Sequence, residues 1–545
     1  MSKNLDRNVS EPDISGRKNS FITRNAVFFL CGICMVGFFV RMYYFPFDIP
    51  IIHDSIDYFS YAVVLSQQGH FPIGWELSNN GWPAFLSIFY TISHDGGMWE
   101  FIYIQRMLTV VISVLTIIPV YLLCTRFVPT RYAIIGSTFF IMDPRIISNS
   151  FLGITETSYV FLGALALFLF LSKDVRVVFA SFGILALFTM IRYEGIFLVI
   201  PFLIFFLIRF RARKRVFLKF LAVIMIFVLI LLPMAHLRTE ATGKDGIISA
   251  ISFGGADYIS KHIVQGIPDQ DDALYGPDAE ENRITKFITT GITSLVKYLG
   301  WVMIPIFIFF VPVGFFIFLR SHNDKIKFII FSMIFLLIPA YYAYARGIEE
   351  TRYLYVLFPI FCVFSSFTLM KLYDMVPRKW LGTLLICGIL IGSVMFLDYQ
   401  KVDYEHEKES YLIAKEIKVI AGGINHYATG SKYIHIAEIE HNWPVIPLPK
   451  ETPYDQTYEI KKIQPNEFST LVEYIQSSED KGLTHIVSDG KQDTRTAIFL
   501  NNVFYDEKKF PYLIKEYDSH EQGFQYHVKV YKINFEKFAE LYPKN

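Results

Sequence analysis

Long apolar runs, each bounded by charged residues, constrain this chain more than any other feature. A bilayer core of roughly 30 Å needs about 20 such residues in a helix. Residues 26–47, 101–124, 131–147, 156–172, 175–191, 195–210, 216–237, 292–319, 326–345, 353–372 and 379–397 read as spans, about eleven in all. Composition agrees, since 53% of the 545 residues are hydrophobic and only 19% are charged, which is too apolar for an ordinary soluble protein. The expected fold class is therefore a polytopic α-helical membrane protein. Residues 1–25 are polar and basic, and the run beginning at Ala26 has no small-residue cleavage site before Asp54. It reads as a first span, not a removed signal peptide. A net charge of +1 gives no global excess that would favour nucleic acid as a partner. The five cysteines lie in apolar runs without metal-ligand spacing and read as packing thiols.

Orientation follows from the loops, because basic loops stay cytoplasmic. The N-terminal tail is basic, and so are Arg126 with Arg131, Lys173 with Arg176, residues 209–215, residues 320–327 and residues 371–379. Every second loop carries the cations. The N-terminus is expected in the cytoplasm, and an odd number of spans places residues 398–545 outside it. Three domains follow: a cytoplasmic tail (1–25), a membrane domain (26–397) with external loops 48–100 and 238–291, and an extracytoplasmic domain (398–545). In the last, apolar stretches at 433–436, 484–487 and 526–533 read as strands. Residues 409–420 and 467–476 read as helices, so an α/β domain is expected. Its lack of cysteines and its wealth of lysine and isoleucine suit a prokaryotic plasma membrane.

Chemistry is expected at the outer ends of the spans. In a helix opened by His53-Asp54-Ser55-Ile56-Asp57-Tyr58, the residues Asp54, Asp57, Tyr58, Tyr61 and Leu65 share one face, which suits a helix lying on the membrane. Asp54 or Asp57 could there serve as a base; the alternative is a helix cap and a solvated first-turn charge. Glu156 heads the fourth span, and Glu194 follows Arg192 between the fifth and sixth. Six arginines run against the cytoplasmic bias: Arg41, Arg106, Arg145, Arg192, Arg346 and Arg352. A cation beside hydrocarbon is costly and pairs or binds something. Phosphate suits the guanidinium fork, while Glu349 and Glu350 are the intramolecular alternatives for Arg346 and Arg352. No phosphate loop, Gly-x-Ser-x-Gly elbow or Cys/His cluster is present.

This arrangement resembles the GT-C superfamily of membrane glycosyltransferases. Within it, the chain is most similar to the family 39 group of protein O-mannosyltransferases and lipid A aminoarabinose transferases. The shared features are D-x-x-x-Y-x-x-x-A at Asp54, Tyr58 and Ala62, the stretch Gly81-Trp82-Pro83, Arg106, Glu156, Arg192-Tyr193-Glu194 and Arg352-Tyr353. Together they cover roughly residues 26–397. Where the family often has a second acid after the first, this chain has Ser55, with Asp57 two residues on. The resemblance implies inverting transfer from a polyprenyl-phosphate-linked sugar to a protein, lipid or glycan acceptor. In that reading Asp54, Asp57 and Glu156 are catalytic candidates, Arg106, Arg192, Arg352 and Tyr353 hold the donor phosphate, and Tyr58 and Glu194 line the substrate pocket. No organic cofactor is required, and a divalent cation between Asp54 and Glu156 is left open. An oligosaccharyltransferase would normally carry Trp-Trp-Asp, and this chain has no Trp-Trp pair. A lipid flippase or transporter is the rival from another class, though such proteins tend to place their charges at mid-membrane.

Overall fold

A computed structural model describes residues 18–93, 96–267, 274–275, 282–320, 324–375, 379–399, 403–444, 446, 459–465, 468–491 and 497–543. The apolar runs are helical, as they must be where lipid offers the backbone no hydrogen-bond partner. Seven helical stretches among the described residues are long and apolar enough to cross a membrane, or eight if one bent pair counts as a span. These include α1 (Lys18–Tyr43), the stretch formed by α4 (Met98–Leu115) and α5 (Ile117–Cys124), α11 (Val216–Thr242), α14 (Asp324–Ala345) and α16 (Lys379–Tyr399). The protein is thus a multi-pass membrane protein.

The sequence reading of eleven spans needs two corrections. Residues 292–319 do not run straight: α12 (Arg283–Val302) and the helical segment Phe307–Leu319, which contains α13 (Val311–Leu319), meet at 107°. Pro305 lies in the break, where its missing N–H cannot continue a helix. Three other expected spans are short helices inside the bundle: α6 (Thr130–Ile141), α8 (Glu156–Phe170) and α9 (Val175–Ile191). Fifteen residues make a helix of only about 22 Å, less than the hydrocarbon thickness. Glu156 at the start of α8 and Arg192 just after α9 sit within protein, whereas Lys173, Asp174 and Arg176 at the opposite ends are exposed.

Helix α2 (Asp54–Gln68) also differs from expectation. It is not a surface helix with one wet face, because residues on all sides of it, including Ile56, Tyr58, Phe59, Tyr61 and Val63, are buried. It packs against α3 (Gly81–Ile92), whose Gly81 meets the Met190 backbone too closely for any β-carbon to fit.

Beyond α17 (Tyr404–Ile420) lies a five-stranded sheet in the order β2-β1-β3-β5-β4. Strand β1 (Gly423–Asn425) runs parallel to β2 (Lys461–Ile463) and β3 (His485–Ser488), and β5 (Lys529–Ile533) is antiparallel to β3 and to β4 (Leu513–Asp518). The α/β expectation holds in outline. The strand expected at 433–436 is instead the join between a 3-10 turn (Thr429–Tyr433) and α18 (Ile434–Asn442). Tyr433, Ile434, Ile436 and Ile439 are all buried, and an apolar run buried on every side carries no period that separates strand from helix. The helix expected at 467–476 is Leu471–Ser478; residue 467 lies outside the described residues.

This domain is seated on the membrane bundle by specific contacts. Trp443 packs between the rings of Phe59 and Phe101, and the Trp99 indole donates to Glu440 at 3.3 Å. Tyr404 donates to the Tyr44 carbonyl at 2.8 Å, and Lys408 pairs with Asp48 at 2.9 Å.

Candidate active site

Two buried polar residues of α4 organise the loops that carry the site. Arg106 donates to the carbonyls of Pro46 (3.0 Å), Pro50 (3.1 Å), Ile49 and Phe151 (3.0 Å). Gln105 next to it donates to Ser55 O (3.2 Å) and Gly153 O (2.7 Å), and Trp82 donates to the same Gly153 carbonyl at 2.9 Å. Gly153 has φ +73°, a left-handed conformation that a β-carbon disfavours. The two loops so fixed lead into α2 and α8, each of which opens with a carboxylate, Asp54 and Glu156. A negative charge is favoured at a helix N-terminus. His53, which immediately precedes Asp54, has φ 52°, an uncommon conformation for a non-glycine residue, and it turns the chain into the helix.

Arg352, in the 3-10 turn Thr351–Leu357, joins the two acids. Its Nη1 lies 2.6 Å from Asp54 Oδ2, its Nε is 3.9 Å from Glu156 Oε1, and Glu350 is also in contact. Glu156, only 3% exposed, accepts from Arg192 at 2.6 Å, and Arg192 reaches Glu194 at 2.9 Å. Tyr353 and Tyr159 flank the Arg192 guanidinium, each ring centroid 5.7 Å away. Tyr58 hydrogen-bonds Asn79 close to these charges, and burial pushes its phenol well above the ordinary range, so it stays neutral. The result is a continuous row, Asp54, Arg352, Glu156, Arg192, Glu194, drawn from four separate stretches of sequence.

Of the expected site residues, Asp54, Tyr58, Glu156, Arg192, Glu194, Arg352 and Tyr353 come together. Asp57 stands one helical turn from Asp54 on the wall of a neighbouring cavity. Arg106 does not join them. Its expected phosphate role is corrected by its geometry, because its fork is filled by backbone carbonyls. Arg41 is likewise held by the Gly37 and Ile141 carbonyls and Ser113, and Arg346 stacks on Tyr258 at 3.9 Å. Ser55 is buried and its hydroxyl donates to the Leu152 carbonyl, so it serves as an anchor where the family often has an acid.

Two cavities flank the Asp54–Arg352 pair, one lined by Asp54 and the other by Arg352. One of about 520 Å3 is lined by Asp54 and Asp57 on the membrane side and by the C-terminal domain opposite. The other, of about 690 Å3, is lined by Arg145, Lys297, Tyr298, Trp301, Glu350 and Arg352 among others. Trp301, 52% exposed, and Leu152, 42% exposed, give this second cavity an apolar rim. Sequence reasoning missed Lys297, although a lysine inside a supposed span was itself a signal. The Arg352 guanidinium lies between Asp54 and Glu156, the pair for which a divalent cation was left open.

The fold of this chain, a helix bundle with an α/β domain behind it, is similar to those of solved membrane proteins that include an archaeal oligosaccharyltransferase and ArnT. Similar solved structures include ArnT from Cupriavidus metallidurans bound to undecaprenyl phosphate (TM-score 0.54, 9% identity, covering 93% of this chain and 97% of that one) and an oligosaccharyltransferase from Archaeoglobus fulgidus with Zn and sulfate (0.54, 13%, 84% and 68%). AglB from Archaeoglobus fulgidus, in complex with an inhibitory peptide and a dolichol-phosphate, matches at TM-score 0.52 and 13% identity, covering 86% of this chain and 70% of that one. No protein-family model and no curated protein sequence matches the chain.

Proposed function

We propose that this protein is an inverting glycosyltransferase that moves a sugar from a polyprenyl-phosphate carrier to an acceptor hydroxyl at the extracytoplasmic face. The observation that carries this reading is the contact between Asp54 and Arg352, which puts a carboxylate on one cavity against a cation on the other. Asp54 takes the proton of the acceptor hydroxyl as its oxygen bonds to the anomeric carbon. The bond from that carbon to the phosphate oxygen breaks on the opposite face, which inverts the centre. Its electron pair leaves on the lipid phosphate, whose charge is matched by Arg352, Lys297 and Arg145. Positioned charge of this kind is worth most where water is scarce. The apolar rim at Trp301 and Leu152 suits the lipid tail of the donor. Glu156 and Arg192 act through Arg352, holding its guanidinium in place. The fold shared with ArnT, bound there to undecaprenyl phosphate, supports the carrier class.

The test is turnover by the purified protein in nanodiscs, supplied with undecaprenyl-phosphate-linked sugars from a bacterial membrane extract. Release of undecaprenyl phosphate, abolished by Asp54→Asn, is the expected result. Translocation of the lipid in proteoliposomes without any such release would overturn the enzyme reading in favour of a flippase.

A further inference from the structure

The 520 Å3 cavity has two chemically different walls. Both of its lining carboxylates, Asp54 and Asp57, come from α2. The opposite wall belongs to the C-terminal domain and carries His426, Thr429, Lys432, His435, Lys462 and Gln464. Among the described residues that wall contributes no carboxylate to the lining. Lys432 is held in place by Glu407 at 2.6 Å and by the Tyr433 ring at 5.2 Å.

Sheet topology accounts for this wall. His426 and Thr429 follow the carboxyl end of β1, and Gln464 follows the carboxyl end of β2, its parallel neighbour. Open α/β sheets place ligands beyond the carboxyl ends of their parallel strands, where loops rather than helices face the solvent. The cavity volume falls within the range of small-ligand sites.

We propose that this cavity is the acceptor subsite, and that its occupant is a hydroxylated anionic saccharide, a sugar bearing a phosphate or carboxylate. A hydroxyl of that sugar faces Asp54, and its anionic group rests on Lys432 and Lys462. A charged group on the far wall fixes which hydroxyl reaches the base, so the C-terminal domain selects the acceptor. This inference rests on the transfer reading of Asp54, but its test reads binding alone.

A single cysteine at Thr429→Cys, with the five native cysteines replaced by alanine, reports occupancy through its rate of alkylation by N-ethylmaleimide in nanodiscs. Glucose 6-phosphate is expected to slow alkylation where glucose does not. The variant Lys462→Gln should weaken that protection about tenfold, the scale of one lost charge-assisted contact, and Lys432→Gln with Lys462→Gln should remove it, while Lys462→Arg retains it. Nanodiscs containing phosphatidylinositol, compared with phosphatidylcholine alone, form the second arm: protection there and not by the soluble sugar assigns the anionic saccharide to a lipid headgroup. No protection in either arm, equal protection by glucose, or protection that survives loss of both lysines would overturn the proposal. Protection by undecaprenyl phosphate would also overturn it, because the donor would then occupy this cavity. Failure of Asp54→Asn to stop turnover would instead count against the transfer reading and leave these binding results intact.

Discussion

Asp54 Oδ2 and Arg352 Nη1 lie 2.6 Å apart although 298 positions separate them in the chain. Asp54 opens the helix after the first span, and Arg352 opens a late one. Asp54 lines one cavity and Arg352 the other, so the group proposed to take a proton and the group proposed to match a leaving phosphate touch directly.

Asp54→Asn should keep the fold and donor binding but lower turnover by about 10² to 10⁴, the usual contribution of a general base. The amide preserves shape and removes the proton acceptor. Asp57→Asn, one helical turn on, should cost far less if Asp54 is the base. A larger loss for Asp57→Asn in initial-rate measurements would move the assignment by that turn.

Arg352→Ala should weaken undecaprenyl phosphate binding by about 1.5 to 3 kcal/mol, the scale of a hydrogen bond to a charged group. Arg352→Lys should recover only part, because an ammonium lacks the planar fork. Titration in nanodiscs reads both. Unchanged affinity in a folded variant would leave Arg352 as a structural partner of Asp54, Glu156 and Glu350.

Arg106→Ala should act on stability rather than on donor affinity. Four carbonyls lose their donor, and unsatisfied buried polar groups cost about 1 to 3 kcal/mol each. A marked fall in Tm with unchanged undecaprenyl phosphate affinity in the folded fraction is expected. Loss of affinity at unchanged Tm would restore the phosphate role.

Topology can be read by impermeant labelling of intact cells. Ala539 is exposed and probes the tail, with Ser10 reporting the N-terminus. Ala539→Cys should label and Ser10→Cys should not, in a cysteine-free background. Equal protection of both would contradict the orientation inferred from the basic loops.

The C-terminal domain should lose stability on mild acidification. Burial pushes the His485 imidazole below its usual value despite its bond to Glu516, and burial does the same to His527 beside Asp518. Below the ordinary histidine value of about 6.5, the unfolded chain takes up protons that the folded one resists, so stability falls as pH drops through that value. Hydrogen exchange across β3, corrected for intrinsic rates, should quicken between pH 7.5 and 5.5. A His485→Asn variant should show a flatter dependence, and an unchanged slope would remove His485 as its source.

Membrane class, the acid at position 54 and the acid-headed start at Glu156 were legible in the sequence. Each depends on local chemistry: apolar length, spacing along a helix, or charge set against hydrocarbon. Which arginine joins the carboxylates was not legible. Arg106 and Arg352 look alike in sequence, yet one is enclosed by carbonyls of loops some 45 to 60 residues away and the other bridges two carboxylates. The span count stayed approximate, because α8 and α9 occupy the expected runs 156–172 and 175–191 yet are short for a bilayer, and apolar residues that face neighbouring helices read the same as residues that face lipid. The mixed wall of the 520 Å3 cavity was beyond reach for the same reason: Lys432 and Lys462 are ordinary lysines until the seating of Trp443 between Phe59 and Phe101 brings their domain against α2. Local sequence determined which charges would sit at helix ends, and long-range packing alone decided which of them face one another across a cavity.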